Sequence, residues 1–273
     1  MASLRHRYDV PRVVLLCHDG DRIDTAGLTA WLATSMDLVG VIKLREGRER
    51  LVQRARYEIR RVGWLRFLDV LAFRLYYRLL LARRDLAWIE QEIRRLRSRY
   101  PVDPAGAMTL VTRDPNGPAV EAFLRLTRPH LMVARCKSLL KPAIFRIPSH
   151  GTYVLHPGIC PEYRNAHGCF WALVNRDKRR VGMTLLRVDE GVDTGPVLLQ
   201  SSYRFDELRE SHRVMQYRVV LENLDAIADT LRAAWRGRFQ PLPVKRRRSA
   251  TWGQPWLSAY LRWKRAAHQE VAR

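Results

Sequence analysis

Residues 148–200 read PSHGTYVLHPGICPEYRNAHGCFWALVNRDKRRVGMTLLRVDEGVDTGPVLLQ. GTYVLHP (151–157) has the content of a short strand and ends on His156, at the carboxyl end where open α/β sheets hold ligands. A proline-bounded loop, HPGICPEYR, follows. VGMTLLRV (181–188) and PVLLQSSYRF (196–205) then flank the acidic turn DEGVDTG as a pair of strands. If these strands neighbour one another, Asp193 in that turn approaches His156. A carboxylate beside an imidazole favours the imidazolium, so such a pair can move protons near neutral pH. A single histidine and a single aspartate in turns are more often structural, and the residues alone leave both roles open.

Upstream, PRVVLLC (11–17) reads as a buried strand without polar alternation. HDGDRIDTAG supplies turn formers, with Asp24 or Thr25 placed to cap a helix through Trp31. LVGVI (38–42) is a second strand, completing a βαβ unit. MTLVT (108–112) and HLMVARC (130–136) are further strands around a helix from Pro118 to Leu126. Residues 206–236 carry Val214, Tyr217, Val220, Leu221, Leu224, Ile227 and Leu231 at helical spacing, as one long helix. The expected class is α/β, a mostly parallel sheet with flanking helices. CHDGDR (17–22) lacks a GxGxxG run, so a nicotinamide cofactor is not indicated. Asp19, Asp21 and Asp24 read as a solvated capping loop rather than a metal cluster.

Charge is distributed unevenly over the 273 residues. The formal net charge is +22 and apolar types make up 47%, enough to bury a core and to exclude wholesale disorder. Residues 43–100 carry 17 basic and 7 acidic side chains, and residues 232–273 carry 11 and 1. The first of these is almost free of glycine and proline and reads as two or three helices, a basic helical insert. Beyond Gly237 the chain is proline-rich and basic (PLPVKRRRSATWGQPW), with a last amphipathic piece at 255–267. Within the insert, WLRFLDVLAFRLYYRLLLA (64–82) spreads Arg66, Asp69, Arg74 and Arg78 over half a helical wheel. Four charges argue against a membrane span. Two readings stand: a helix packed on its own domain, or one lying on an anionic bilayer with Trp64, Phe67 and Tyr76 near the headgroups. KRRR (245–248) suits a phosphate-rich surface or a solvated face. Cys17, Cys136, Cys160 and Cys169 show no CxxC spacing, against a zinc ribbon or disulfide framework. With no apolar segment near the first residue, a cytoplasmic protein is expected, at the inner face of the membrane in the bilayer reading.

In order and spacing, His156-Pro157, Pro161-Glu162-Tyr163-Arg164, Phe170-Trp171-Ala172-Leu173, Gly182-Met183-Thr184 and Asp193-Thr194-Gly195 resemble a family signature. It is that of the 10-formyltetrahydrofolate-dependent formyltransferases, which include the methionyl-tRNA, glycinamide-ribonucleotide and sugar-amine enzymes. The resemblance spans 108–205 well and 11–42 weakly. It implies a Rossmann-like formyltransferase fold over 1–236, interrupted by the insert at about 43–100 and followed by a basic aromatic tail at 237–273. It implies transfer of a formyl group from 10-formyltetrahydrofolate to an amine, such as an amino sugar or a lipid- or nucleotide-linked amine. His156 would then stabilise a tetrahedral oxyanion, with Asp193 holding it charged. The folate-lining segments correspond to Lys137, Ser138, Leu139 and Leu140 and to Val188, Asp189 and Val192. Arg164 is a candidate for an acceptor phosphate or carboxylate. The plain alternatives are core packing for Leu139 and Leu140 and a surface salt bridge for Arg164.

The chain departs from the family pattern at four places. The family's oxyanion-binding asparagine falls on Val154, its loop glycine on Asn165, and two other polar positions on Leu186 and His130. Loss of one oxyanion donor typically costs on the order of 10²–10³ in rate. Asn165, His167 and His150 are the nearest polar substitutes along the chain. Beside formyl transfer, the pattern leaves a catalytically impaired binding module that holds an anionic partner, or a 10-formyltetrahydrofolate hydrolase. A tRNA acceptor ranks below a membrane-borne one, since the C-terminal barrel of the tRNA enzymes does not fit within 237–273.

Overall fold

Val13, Val14, Leu15, Leu16 and Cys17 are all fully buried, because the strand they form is covered on both faces. The computed structural model describes residues 10–271 apart from residue 245, and only the backbone at 48–51 and 54. Strand β1 (Arg12–His18) leads through a π-helical turn (Ile23–Leu28) into helix α1 (Thr29–Ser35) and strand β2 (Asp37–Leu44). Three helices follow: α2 (Arg48–Val62), α3 (Trp64–Tyr76) and, after a second π-helical turn (Tyr77–Leu81), α4 (Ala82–Arg99). Then come β3 (Met108–Thr112), α5 (Pro118–Thr127), β4 (Leu131–Arg135), α6 (Pro142–Phe145), β5 (Thr152–His156), the two-residue β6 (Arg164–Asn165) and α7 (Gly168–Val174). The chain continues through β7 (Gly182–Arg187), β8 (Val197–Ser202), α8 (His212–Leu221), α9 (Leu224–Trp235), the short β9 (Thr251–Trp252) and α10 (Leu257–Val271).

Among the described residues the main sheet has the order β3-β2-β1-β4-β5-β7-β8. The first five strands are parallel, and β7 and β8 are antiparallel additions. This is the Rossmann-like arrangement, a mostly parallel sheet flanked by helices. The antiparallel pairing of β5 with β7 sets His156 opposite Thr184 and Val154 opposite Leu186. It thereby brings the β7–β8 turn back to the carboxyl end of β5.

Several local expectations are corrected. Asp24 does not cap a helix. It lies inside the first π-helical turn, where the Asp21 carboxylate accepts from its N–H at 3.3 Å. The pattern over 206–236 is two helices, not one. Asn223 interrupts it, donating to the carbonyls of Ser202 (3.1 Å) and Val219 (2.7 Å) and so tying the break to β8.

The 64–82 segment uses each face differently. Phe67, Val70 and Phe73 are buried, with Phe73 against the rings of Phe170 and Tyr260. Phe67 therefore cannot sit among headgroups, and Tyr76 is half-buried against Tyr260. The leucines on the other side of α3 remain exposed. No helix among the described residues is long and apolar enough to cross a membrane.

The C-terminal residues are built into the core. Ala259, Tyr260, Trp263 and Ala267 of α10 are buried. The Lys264 ammonium donates to the carbonyls of Glu207 (2.6 Å) and Glu210 (2.8 Å), and burial lowers its pKa to about 8. In the KRRR run Lys245 lies outside the described residues. Arg247 is not part of a solvated face, because its guanidinium forks onto buried Glu162 at 2.8 and 2.5 Å.

Candidate active site

His156 ends β5 with its ring buried. Its Nδ1 lies 3.4 Å from Asp193 Oδ2, and its Nε2 lies 2.8 Å from the carbonyl oxygen of Tyr163. Both ring nitrogens therefore face acceptors, which only the doubly protonated imidazolium can satisfy together. Burial alone would lower the pKa of the ring. The Asp193 carboxylate, the Cys160 thiol and the Tyr163 carbonyl reverse that and raise it to about 10.

The surrounding loop is shaped to permit these contacts. A Cβ on Gly158 would stand 2.6 Å from both His156 Nε2 and the Tyr163 oxygen. A Cβ on Gly168 would stand 2.6 Å from the Gly158 Cα, so two glycines let the loop close around the imidazole. Asn165, His167 and Asp193 adopt left-handed backbone, with φ of 76°, 57° and 51°. Such positions cost of order 1–3 kcal/mol each and cluster at functional sites.

The structure disperses the expected donor substitutes. The Asn165 N–H donates to Asp193 Oδ2 at 2.8 Å, but its side-chain amide donates to the Trp252 carbonyl at 2.6 Å. The His167 ring turns away toward Gln216 and His212 and lines a cavity of about 120 Å³ with Phe73 and Tyr77. Burial lowers its pKa to about 3, so it is neutral. His150 precedes the amino end of β5, about 20 Å along the strand from His156 at 3.3 Å per residue. It packs on His130 instead. Val154 is half-buried beside Cys160, Leu186 and Val197, with Ala134 and Leu186 as its strand partners.

The two segments expected to line a folate divide in the same way. Leu140 is buried in the core with Ile144 and Phe145, whereas Leu139 is exposed and its carbonyl accepts from Asn116. The Lys137 N–H donates to the His18 ring, and the Ser138 carbonyl accepts from the Cys136 thiol. In the acidic turn, Asp189 accepts from Gly191 N and Thr194 Oγ1, Val188 pairs its N–H with Thr152, and Val192 is exposed. Arg164 donates from Nη1 to the Val192 carbonyl at 2.9 Å, and its buried Nε has no partner among the described residues. Leu139 and Val192 are thus exposed apolar groups, whereas Leu140 is committed to packing.

Other groups at this edge of the sheet had no clear sequence signal. Cys160 contributes to the charge state of His156. Trp252 stacks on Trp171 and Tyr163, and its Nε1 donates to the Glu162 carbonyl, so the C-terminal segment clamps the loop that carries Tyr163 and Asn165. A tryptophan in a basic, proline-rich stretch was the one available hint. At the carboxyl ends of β1 and β4, Asp24 and Arg135 form a buried pair at 3.3 Å, and Arg135 also donates to the Leu155 carbonyl at 2.8 Å. Asp24 is only 2% exposed, which corrects the reading of this loop as wholly solvated.

The family model described as formyl transferase matches residues 93–231, about half of the chain. The chain belongs to the formyl transferase family. It is similar to the methionyl-tRNA formyltransferase of Thermodesulfovibrio yellowstonii, with 32% identity over 105 residues, 38% of this chain and 33% of that protein. It is also similar to human mitochondrial 10-formyltetrahydrofolate dehydrogenase, with 39% identity over 67 residues, 24% of this chain and 7% of that protein. The match spans a third or less of the length of these curated relatives. In fold, glycinamide ribonucleotide transformylase 1 from Symbiobacterium toebii is similar at a TM-score of 0.54 and 15% identity, over 86% of this chain and 95% of that one. A sugar N-formyltransferase from Shewanella sp. is similar at 0.52 and 13%, over 88% and 76%. At these identities the likeness is one of fold.

Proposed function

We propose that this formyltransferase moves a formyl group from 10-formyltetrahydrofolate to an amine, with His156 and Asp193 at the reacting centre. The observation that carries this reading is the pairing of buried His156 with Asp193 at the carboxyl end of β5, in a chain of this family. The folate supplies the formyl carbon and, as leaving group, N10. His156 donates from Nε2 to the oxyanion once a substrate oxygen takes the place of the Tyr163 carbonyl. Asp193 keeps the ring charged, and the pair accepts the proton that the attacking amine loses and delivers one to the departing nitrogen. Val154 contributes no hydrogen bond, so the positive ring carries a larger share of the stabilisation. Arg164, tied to the Val192 carbonyl, holds the acidic turn against the loop and acts as a positioning residue. Leu139 and Val192 cover the pterin, with main-chain groups of 137–140 and 188–192 reading its edge.

The test follows tetrahydrofolate release from 10-formyltetrahydrofolate with and without a panel of amines. Amine-dependent release that His156→Ala abolishes is the expected result. Formate release at the same rate without amine would make the protein a hydrolase. Absence of both turnover and folate binding would leave a binding module.

A further inference from the structure

We propose that the outward face of α3 and the π-helical turn after it is a docking surface for an anionic phospholipid bilayer. At 100° per residue, Trp64, Leu65, Leu68, Leu71, Ala72 and Leu75 fall within an arc of about 120°. This arc lies opposite Phe67, Val70 and Phe73, which already hold the helix to its own domain. All six residues of the arc are exposed, Leu65 at 86%, and Leu79 continues the stripe at 70%. A soluble chain seldom leaves so continuous a row of large apolar side chains in water without a partner.

The charge around the stripe selects the occupant. The exposed side chain of Arg78 lies along one margin, and those of Arg83 and Arg84 lie on the first turn of α4. The acids are turned inward: Asp85 and Glu92 are buried, while Asp69 and Glu90 are half-buried. Asp69 accepts from Ser258 N at 3.0 Å, Asp85 from the Ser211 hydroxyl at 2.6 Å, and Glu92 from Arg95. The solvent-facing field over the stripe is therefore positive. A single helix with a narrow apolar stripe and flanking arginines has the form of an interfacial helix lying in the headgroup plane. A second copy is a poorer occupant, because a two-fold pairing of this face would set two strongly basic segments against each other. The docking surface does not depend on the reaction proposed above.

The test is cosedimentation of the full chain with vesicles of phosphatidylcholine alone or mixed with phosphatidylglycerol. Pelleting with the mixed vesicles, weakening as salt is raised, is expected. Replacing leucines as Leu68→Ser with Leu75→Ser lowers the partition coefficient by about tenfold or more. Arg78→Gln with Arg83→Gln lowers it by about fivefold per arginine. All four positions are exposed, so thermal midpoints stay near wild type and separate binding from misfolding. Equal pelleting of wild type and the leucine variant, or no pelleting with mixed vesicles, would overturn the proposal. A lipid-free dimer that the leucine variant dissociates would assign the face to a second copy and overturn it equally.

Discussion

Two carboxylates near the carboxyl edge of the sheet meet a basic partner at almost the same distance. Asp24 faces Arg135 at 3.3 Å and Asp193 faces His156 at 3.4 Å. The chemistry of the two pairs is nonetheless different. Burial raises the Asp24 pKa to about 7 despite the neighbouring guanidinium. Arg135 cannot give up its proton, so only Asp24 can titrate in this pair, and the contact ties the π-helical turn after β1 to β4. In the other pair it is the cation that can exchange. Asp193 and the Tyr163 carbonyl hold His156 protonated, yet an imidazole can release that proton within a reaction cycle. Burial and separation thus make an ion pair, and the identity of the cation decides which member can exchange its proton.

The contrast breaks most sharply at the histidine. His156→Ala should lower amine-dependent formyl transfer by about 10²–10⁴, and at neutral pH it should also lower the thermal midpoint, because the buried charged pair is lost. Next, Asp193→Asn should cost about 10²–10³ and shift the pH profile. In the wild type the ring loses its proton only as pH rises through about 10. Without the carboxylate that limb moves down toward the ordinary histidine value near 6.5. The same linkage has a stability sign. The raised pKa stabilises the fold fully below the unfolded-state value and loses that contribution as pH rises through about 10. Denaturation of wild type and Asp193→Asn should therefore differ at neutral pH and converge in strong alkali.

At the structural pair the readout changes from rate to stability. Asp24→Ala leaves a buried guanidinium without its partner and should cost about 3–5 kcal/mol in urea denaturation. Replacing both members, Asp24→Leu with Arg135→Met, should recover most of that loss. No double replacement of His156 and Asp193 should recover activity. The smallest effect is expected for Asn165→Gly. Glycine accepts the left-handed backbone and keeps the N–H that binds Asp193, so only the amide contact to Trp252 is lost. That should cost about 1 kcal/mol, with kcat within about threefold of wild type.

Much of this site was legible in one dimension. The run from Gly151 to Gln200 contains a strand, a loop, a helix and two strands, and their antiparallel return places Asp193 beside His156. The side chains that point elsewhere share a physical cause. Asn165 and His167 are near His156 in sequence, but left-handed backbone at both redirects their side chains to Trp252 and to Gln216. His150 and His156 bracket one strand, so proximity along the chain became separation in space. Leu139 and Leu140 are adjacent and similar, yet the first is exposed and the second buried.

By itself the sequence determined the seven strands of the main sheet, the family signature and the presence of an imidazole at a strand end. These follow from apolar runs, turn residues and short-range spacing, which act within a few residues of one another. Only the tertiary structure decided that Asp24 is buried against Arg135, that Glu162 is paired by Arg247, and which leucines of α3 face solvent. Those outcomes depend on desolvation, and desolvation is imposed by segments distant along the chain, 111 residues apart for Asp24 and Arg135 and 85 for Glu162 and Arg247.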